Sequence, residues 1–291
     1  MNGARRGGMG RSRYKWTETK IQKWVKQGRG QGAGANYLPW LRVSDVPSKG
    51  FSHRIWGELT HRIHHLLSYL EYLIYLWCLL LGGLCDIREA YPLNREDTRR
   101  IAKKLGIAHP RYPGTRIDIV MTTDLLLTRP GDPAVYIALA VKPAAQLDDP
   151  RVMEKLAIER ACWLERGVAF FVVTEKELPQ VVLHNFERIR FALNLTMHPN
   201  FTVAQARELQ SELLRFLPHR RDVTYEDFCT EFDGRLHLET GDTHYLMTNL
   251  MGHGVLTFDM RRAWDVQYRM GELQICQEAL DKLSQDERYA E

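Results

Sequence analysis

Cysteine is scarce in this sequence: its 291 residues include five cysteines, and none of them belongs to a CxxC pair. Structural zinc sites usually contain such pairs, and disulfide-stapled folds need more cysteines. We therefore expect neither a structural zinc site nor a disulfide framework. Few cysteines are typical of proteins from a reducing compartment, so we expect a cytoplasmic protein.

A long apolar segment is also missing. The most apolar run extends from Tyr72 to Cys85, which is 14 residues, whereas a helix needs about 20 residues to cross a bilayer. The basic N-terminal segment, MNGARRGGMGRSRYKW, has no apolar core of the kind found in signal peptides. From these two observations we expect no association with a membrane.

Acidic residues are rare at positions 1–62, where 13 Lys and Arg stand against 3 Asp and Glu, a net charge of +10. Positions 63–291 contain 27 Lys and Arg against 33 Asp and Glu, a net charge of −6. Aromatic residues interleave with the basic ones at Trp16, Trp24, Tyr37 and Trp40. This combination favours contact with a polyanion such as double-stranded DNA. A solubilising tail is the alternative for residues 1–15, a Gly/Arg-rich arm that we expect to be disordered.

Residues 16–195 alternate between helical and strand patterns. The helix and strand after residue 150 suit a crossover onto a mixed sheet, so we expect one α/β domain here. In order, the patterns predict a core helix over 57–82, an extended segment at 86–92, strands at 117–127 and 135–141 around the turn RPGDP, a helix over 150–165 and a strand at 168–173.

The pattern changes after the segment MHPN. Three short helices are predicted at 203–217, 225–232 and 242–251. The run GVLTFDMRRAWDVQYRM then predicts two strands with a turn near Arg261 and Arg262. Three helices followed by a hairpin is the order of a winged helix, so we expect residues 196–291 to form a mostly helical, winged-helix-like domain with a tail.

Glu71 lies in the apolar run SYLEYLIYLWCLLLGG. A buried carboxylate is costly unless it is paired or bound to a metal ion. On the predicted helix, Ser68 and His64 precede Glu71 on the same stripe. Exposure at a polar cleft edge, or pairing with an arginine, would explain Glu71 equally well.

Asp124 and Lys142 are polar residues of predicted strands. Asp124 stands inside IVMTTDLLL, where aspartate is disfavoured, and Lys142 ends the strand VYIALAVK just before Pro143. Each has an ordinary explanation: a strand-end Asp that binds a backbone amide, or a surface Lys. Together they outline something more specific, because an Asp on one strand of a hairpin and a Lys ending the next strand is the outline of a PD-(D/E)xK nuclease site.

Such a site hydrolyses phosphodiesters with one or two divalent metal ions. Carboxylates and a backbone carbonyl hold the metal, which activates water and neutralises charge on the phosphate. The sequence predicts that Glu71, Asp124 and the Val141 carbonyl would hold Mg²⁺, for which Mn²⁺ would be a substitute. Lys142 would orient or deprotonate the attacking water, or stabilise the developing charge.

Several segments, in this order, resemble the TnsA family of transposase endonuclease subunits, which includes those of CRISPR-associated transposons. The resemblance extends from Trp16 to Thr174, and its most specific parts are HHLLSYLE and VKPAAQL. The segments are KQGRGQGAGANYLPWL, HRIHHLLSYLE, DIREAYPL, VMTTDLLL and AVKPAAQLDDPRVMEKLAIERACW.

The resemblance implies a restriction-endonuclease-like fold for residues 16–195, and the family's catalytic Glu, Asp and Lys correspond to Glu71, Asp124 and Lys142. It implies cleavage of the 5′ (non-transferred) strands at the ends of a transposon. A TnsB-like DDE transposase would cut the 3′ ends, and the C-terminal domain would dock on a TnsC-like AAA+ ATPase. Such a protein would work in the bacterial cytoplasm, at the nucleoid.

One position departs from the family. Two residues before the Lys the family has Gln, and related nucleases have Glu or Asp, whereas this chain has Ala140. Either the remaining ligands suffice, or a nearby group such as Gln146 substitutes. Two rival functions stay open: a stand-alone restriction or repair nuclease, and a DNA-binding and regulator-docking subunit whose nuclease activity is weakened.

Five residues are predicted DNA contacts. Arg29 lies in the Gly-rich loop, where backbone amides could also approach a phosphate. The other four precede Glu71 and are His53, Arg54, His64 and His65. For the adjacent His64 and His65, the alternative to DNA contact is that one lies in the core and the other on the surface.

Overall fold

A computed structural model describes residues 16–46 and 51–285, so the predicted disordered arm at 1–15 lies outside the described residues. The chain divides into two units, Met1–Leu178 and Pro179–Glu291. This division falls before the predicted domain boundary at residue 195, because Ile189 and Leu195 belong to the apolar core of the second unit.

The first unit is built on a four-stranded mixed sheet, which confirms the predicted α/β class. The strand order is β3-β4-β5-β6, in which β5 and β6 are parallel and the other two pairs are antiparallel. Strands β1 and β2 form a separate antiparallel ribbon. The elements are α1 Glu18–Lys26, β1 His53–Gly57, β2 Arg62–Leu66, α2 Tyr69–Leu81, β3 Asp86–Pro92, α3 Arg95–Lys104, β4 Thr122–Arg129, β5 Val135–Val141, α4 Pro150–Leu164 and β6 Ala169–Val173.

The predicted helix over 57–82 is wrong in its first half. Burial alternates along β2, where Arg62, His64 and Leu66 are buried and Ile63 is exposed, and this period of two is that of a strand. Helix α2 begins only after Ser68, whose hydroxyl accepts a hydrogen bond from the Glu71 amide. His64 therefore does not share a helical stripe with Glu71.

Helix α4 connects the parallel strands β5 and β6 and packs on the sheet. Ile158, Cys162 and Trp163 of α4 lie in one apolar cluster with Leu126 of β4 and Ala138 of β5. Burying an aliphatic or aromatic side chain of this kind stabilises the fold by roughly 1.5–3 kcal/mol. The predicted crossover helix and strand are confirmed, and they place β6 parallel to β5.

The aromatic residues near the N-terminus belong to the core. Trp24, Tyr37 and Trp40 are at most 6% exposed, so they are not available to stack on DNA. Trp16 stacks on Tyr112 at a ring distance of 4.0 Å. The interleaving of aromatic and basic residues therefore reflects packing of α1 and the following loop, not a nucleic-acid surface.

The second unit is mostly helical around an apolar core that includes Phe228, Phe232 and Leu246. The three predicted helices are present. None of the helices in residues 16–46 and 51–285 is long and apolar enough to cross a bilayer. The elements are α5 Gln180–Arg190, α6 Val203–Phe216, α7 Tyr225–Arg235, α8 Asp242–Gly252, β7 Leu256–Thr257, β8 Gln274–Ile275 and α9 Gln277–Gln285.

The predicted hairpin with a turn at Arg261 and Arg262 is wrong, and the winged-helix fold is not confirmed. Strand β7 has only two residues and pairs with β8. Asn185 binds the segment between them, since it donates to the carbonyls of Met260 and Arg262 and accepts from the amide of Trp264. These bonds use backbone groups that a wing hairpin would need for its own ladder.

Candidate active site

Asp124 lies where strands β4 and β5 stop pairing with each other. Their ladder ends at the Leu125–Leu139 pair, and the Asp124 carboxylate, through Oδ2, accepts a hydrogen bond from the Val141 amide at 2.6 Å. Lys142 Nζ donates to the same oxygen at 2.8 Å and to the Val141 carbonyl at 2.8 Å. One ammonium group therefore bridges the two oxygen ligands that the sequence predicts for a metal ion.

Glu71 is the third residue of α2. Its carboxylate accepts hydrogen bonds from the Leu67 amide at 2.8 Å and from the Ser68 hydroxyl at 3.1 Å. Burial and the negative charge of Asp124 raise the pKa of Glu71 to about 7, although these bonds and the charge of Lys142 act in the opposite direction. Glu71 thus lies in the electrostatic field of Asp124 and Lys142, as the nuclease pattern requires.

Glu159 is a third carboxyl group, which the sequence analysis missed. It lies on α4 and is 6% exposed, and its Oε1 accepts a hydrogen bond from the Thr123 hydroxyl at 2.7 Å. Burial and the charge of Asp124 raise its pKa to about 8. A signal was available, because Glu159 precedes Cys162 and Trp163 by three and four residues and so shares their buried helix face.

Lys142 keeps its proton at neutral pH. Burial lowers its pKa, but the charge and hydrogen bond of Asp124, together with Glu159 and Glu71, raise the pKa above its ordinary value. A lysine of raised pKa is a poor proton acceptor. Of the roles predicted for Lys142, orienting water and stabilising negative charge therefore fit the structure better than deprotonating water.

The oxygen atoms around Lys142 fit a hard divalent cation. Mg²⁺ is usually bound by one or two carboxylates and keeps several waters or substrate oxygens. Within residues 16–46 and 51–285, no group of three or more His, Cys, Asp or Glu residues is already arranged to hold a metal. The protein would supply two carboxylates, from Asp124 and Glu71, and one carbonyl, from Val141. This number of protein ligands is the one that Mg²⁺ usually has, with waters or substrate oxygens as the remaining ligands.

Ala140 contributes no polar group to this site. It is completely buried, and it pairs with Val172 in the parallel ladder. Gln146, the predicted substitute, lies in a short 3-10 helix, Ala144–Gln146, and is exposed. The further carboxyl group close enough to Asp124 to feel its charge is instead Glu159, which is mostly protonated at neutral pH because its pKa is about 8.

Comparison with known proteins identifies the family of this chain. The family model described as "TnsA-like endonuclease N terminal" matches residues 84–175. The transposon Tn7 transposition protein TnsA of Escherichia coli is 36% identical over 256 residues, which are 88% of this chain and 91% of that protein. The chain belongs to the TnsA family. It is thus an endonuclease subunit of a transposase, as its sequence segments indicated.

The family-model match covers part of the site in this TnsA-family chain. It extends over β3 to β6 and includes Asp124, Lys142 and Glu159. Glu71 precedes the matched segment, so the family-model match gives no information about it. Its proximity to Asp124 is inferred from the structure.

Two predicted DNA contacts are engaged inside the protein. Arg29 forms an ion pair with Asp45 at 2.5 Å, donates to the Trp40 carbonyl and lies 3.7 Å from the centre of the Trp24 ring. His64 is completely buried, and its ring binds a carboxylate on one side and a threonine hydroxyl on the other. The prediction for His64 is wrong, because a completely buried ring cannot reach a phosphate. The Arg29 guanidinium is engaged by these partners but partly exposed, so its contact with DNA stays a prediction.

The other three predicted contacts lie on β1 and β2. Arg54 is exposed and pairs across the ribbon with His65, which is half-buried. His53 stacks on Tyr72 at a ring distance of 4.3 Å, one residue after Glu71. Their contact with DNA stays a prediction.

A buried ion-pair cluster fixes β2 to the sheet. Glu89 accepts hydrogen bonds from both Nη atoms of Arg62, at 2.8 and 2.6 Å, from His64 Nδ1 at 2.8 Å and from the His65 amide at 3.0 Å. Burial alone would raise the pKa of Glu89, but the bonds and charges of His64 and Arg62 hold it at about 2. The cluster supports Glu71 indirectly, since β2 leads directly into Leu67.

We expect Glu89→Gln to destabilise the protein by roughly 3–5 kcal/mol at pH 7, because it leaves Arg62 without its buried partner. The pKa of Glu89 is about 2 in the folded protein and about 4.3 in the unfolded chain. Its contribution to the free energy of unfolding is therefore complete at a pH above about 4.3 and is lost as the pH falls towards 2. The difference in urea unfolding free energy between the two proteins should therefore shrink from pH 5 to pH 2.5. The exposed Glu58→Gln is the control, and a difference that does not depend on pH would contradict this assignment.

Proposed function

We propose that this chain cleaves the 5′ (non-transferred) strands at the ends of a transposon, as a Mg²⁺-dependent endonuclease. It would act on double-stranded DNA together with a TnsB-like DDE transposase and a TnsC-like AAA+ ATPase. The observation that carries the proposal is the convergence of Asp124, the Val141 carbonyl and Lys142 within hydrogen-bonding distance, with Glu71 and Glu159 in the same electrostatic field.

Each group has a defined part in phosphodiester hydrolysis. Glu71, Asp124 and the Val141 carbonyl would hold Mg²⁺, which supplies charge neutralisation and a more acidic water when bound. Lys142 carries a positive charge at neutral pH, so it stabilises negative charge that develops on the phosphate oxygens. Asp124 keeps Lys142 protonated, whereas Glu159, whose pKa is about 8, is mostly uncharged at neutral pH and adds negative charge beside Asp124 only as the pH rises towards 8. Mn²⁺, with the same preference for oxygen ligands, would be a substitute.

The second unit is proposed to dock on the AAA+ partner. This part of the proposal is supported by the family relationship, since the 36% identity extends over 88% of the chain and thus beyond the first unit. A free-standing nuclease of the same superfamily would share the site but would cut DNA without a partner transposase.

One observation favours a rival function. Ala140 is buried and apolar at a position where related nucleases have a polar residue. If the site were inactive, the chain would be a DNA-binding and regulator-docking subunit. Unchanged transposition after Asp124→Ala would support that rival.

Metal binding can be tested without measuring cleavage. Three carboxyl groups crowd one lysine, so a divalent cation should stabilise the folded state by about 1.4 kcal/mol at ten times its Kd, which raises the Tm of a chain of this size by roughly 2–4 °C. We expect this shift on adding 10 mM MgCl₂ at pH 8, and we expect Glu71→Gln to lose most of it. The exposed Glu208→Gln should behave as the unaltered protein, and equal shifts in all three proteins would contradict the metal site.

A further inference from the structure

The β1–β2 ribbon has an inner face that is fixed to the protein. Arg62 and His64 on this face are held by Glu89. Gly57 lies so close to His64 that a Cβ atom there would stand 2.6 Å from the imidazole ring and 2.8 Å from the Tyr75 hydroxyl. Glycine is required at this close approach, and the ribbon is therefore held rigidly from behind.

The outer face of the ribbon is exposed and carries two cross-strand pairs, Arg54 with His65 and Trp56 with Ile63. Trp56 is 48% exposed and Ile63 is 43% exposed. A paired tryptophan and isoleucine open to solvent on a rigid strand face are unusual in a surface that serves only for solubility. We call this outer face of Arg54, Trp56, Ile63 and His65 the ribbon face.

The charge around the ribbon face is positive. Burial lowers the pKa of His65, the charge of Glu89 raises it, and the charges of Arg42, Arg54 and Arg62 lower it, so these four charged groups lie near the His65 ring. Because Glu89 and Arg62 form a buried pair, the charges that remain are those of Arg42 and Arg54. This balance complements a polyanion and disfavours a basic or purely apolar partner.

One end of the β1–β2 ribbon adjoins the candidate active site. At one end of the ribbon His53 pairs with Leu66, and the next residue, Leu67, donates its amide to the Glu71 carboxylate. The His53 ring stacks on Tyr72, which follows Glu71. DNA that places a phosphate beside Glu71 and Asp124 therefore meets this end of the ribbon.

The dimensions of the ribbon match one groove of DNA. Its five-residue strands are about 17 Å long, which corresponds to about five base pairs, and its two strands are about 4.8 Å apart. A two-stranded β-ribbon fits the major groove, about 12 Å wide, whereas the minor groove is about 6 Å wide.

We propose that the ribbon face lies in the major groove of the duplex beside the cleaved phosphodiester. Arg54, nearer to Glu71, binds a backbone phosphate. Trp56 and Ile63, about two base pairs further along, contact base edges and thymine methyl groups. This inference rests on the proposed endonuclease function, and it assigns to the ribbon a part in selecting the DNA sequence next to the cut.

The test uses the full chain with Asp124→Asn, to prevent cleavage, bound with the partner transposase to duplexes that carry the ends of its own transposon. Dimethyl sulfate then reports protection at guanine N7 in the major groove and at adenine N3 in the minor groove. We expect N7 protection within about five base pairs of the cut, and we expect Trp56→Ala or Ile63→Ala to remove it. Arg54→Ala should weaken binding about tenfold and reduce the slope of log K against log salt concentration by about one.

Matched controls lie at the other end of β4 and β5. Arg129 ends β4 and Tyr136 is 41% exposed near the start of β5, so Arg129→Ala and Tyr136→Ala should change neither protection nor affinity. The ribbon and control side chains that are replaced are at least partly exposed, and thermal melting verifies that each variant folds. Unchanged N7 protection and affinity in the three ribbon variants, or protection confined to adenine N3, would overturn the proposal. If the ribbon proposal is overturned in this way, strand nicking by the protein with Asp124 intact still supports the endonuclease function. Absence of both strand nicking and N7 protection rejects the ribbon proposal and the endonuclease function together.

Discussion

Asp124→Asn should reduce the rate of strand nicking at a transposon end by at least about 10³-fold. Asp124 is the acceptor for both Lys142 and the Val141 amide, and it is the carboxylate whose charge influences Glu71 and Glu159. Loss of its charge removes a metal ligand worth several kcal/mol, and each step of about 1.4 kcal/mol corresponds to tenfold in rate. The measurement is a single-turnover nicking assay with labelled end DNA and Mg²⁺.

The substitution is chosen so that the fold survives. Asparagine retains an oxygen that can accept the hydrogen bond from the Val141 amide, so Tm and complex formation with DNA should change little. Asp148→Asn, at an exposed carboxylate after β5, is the control and should nick at the normal rate. A nicking rate within threefold of normal in Asp124→Asn would contradict the assignment of the site.

Lys142→Met should lower the nicking rate on the order of 10²–10³-fold while leaving DNA affinity nearly unchanged. Methionine is similar in length, so it preserves packing but removes the positive charge that bridges Asp124 and the Val141 carbonyl. Removing a preorganised charged donor from an active site has effects of this size. The expected signature is a reduced single-turnover rate constant at saturating protein, measured from pH 6.5 to 9.

The pH profile distinguishes the two roles of Lys142. Because its pKa is raised above the ordinary value, the lysine stays protonated over this range, and its removal should lower the rate by the same factor at every pH. A defect that grows with pH would instead indicate that Lys142 accepts a proton from water. Lys155→Met, at an exposed position of α4, is the control and should have no effect.

The sequence was informative where local chemistry determines structure. An aspartate within an apolar strand and a lysine before proline marked Asp124 and Lys142, and the structure joins them at 2.8 Å. Helix α4 was predictable because Asp149 caps it and Pro150 occupies its first position. Such signals depend on neighbours in the chain, and they do not require knowledge of the tertiary fold.

Other features depend on partners that are distant in the chain. The strand character of β2 was hidden by apolar residues that also suit a helix, and it is fixed by Glu89, which is 25 residues beyond His64. In the second unit, Asn185 determines the path of the segment from Met260 to Trp264, which lies far along the chain from it, and this prevents the predicted wing. Patterns of polarity do not reveal long-range hydrogen bonds of this kind.

We propose that this TnsA-family chain cuts the 5′ strands at transposon ends. The most direct measurement maps nicks at single-nucleotide resolution on end DNA labelled on either strand, with the partner transposase and Mg²⁺ present. We expect a nick in the non-transferred strand that depends on this chain and disappears when Asp124→Asn replaces it, beside a 3′-end nick made by the partner in both reactions. If only the partner's 3′-end nick appears with the unaltered chain, the site of Glu71, Asp124 and Lys142 is not an endonuclease, and the chain serves as a docking subunit.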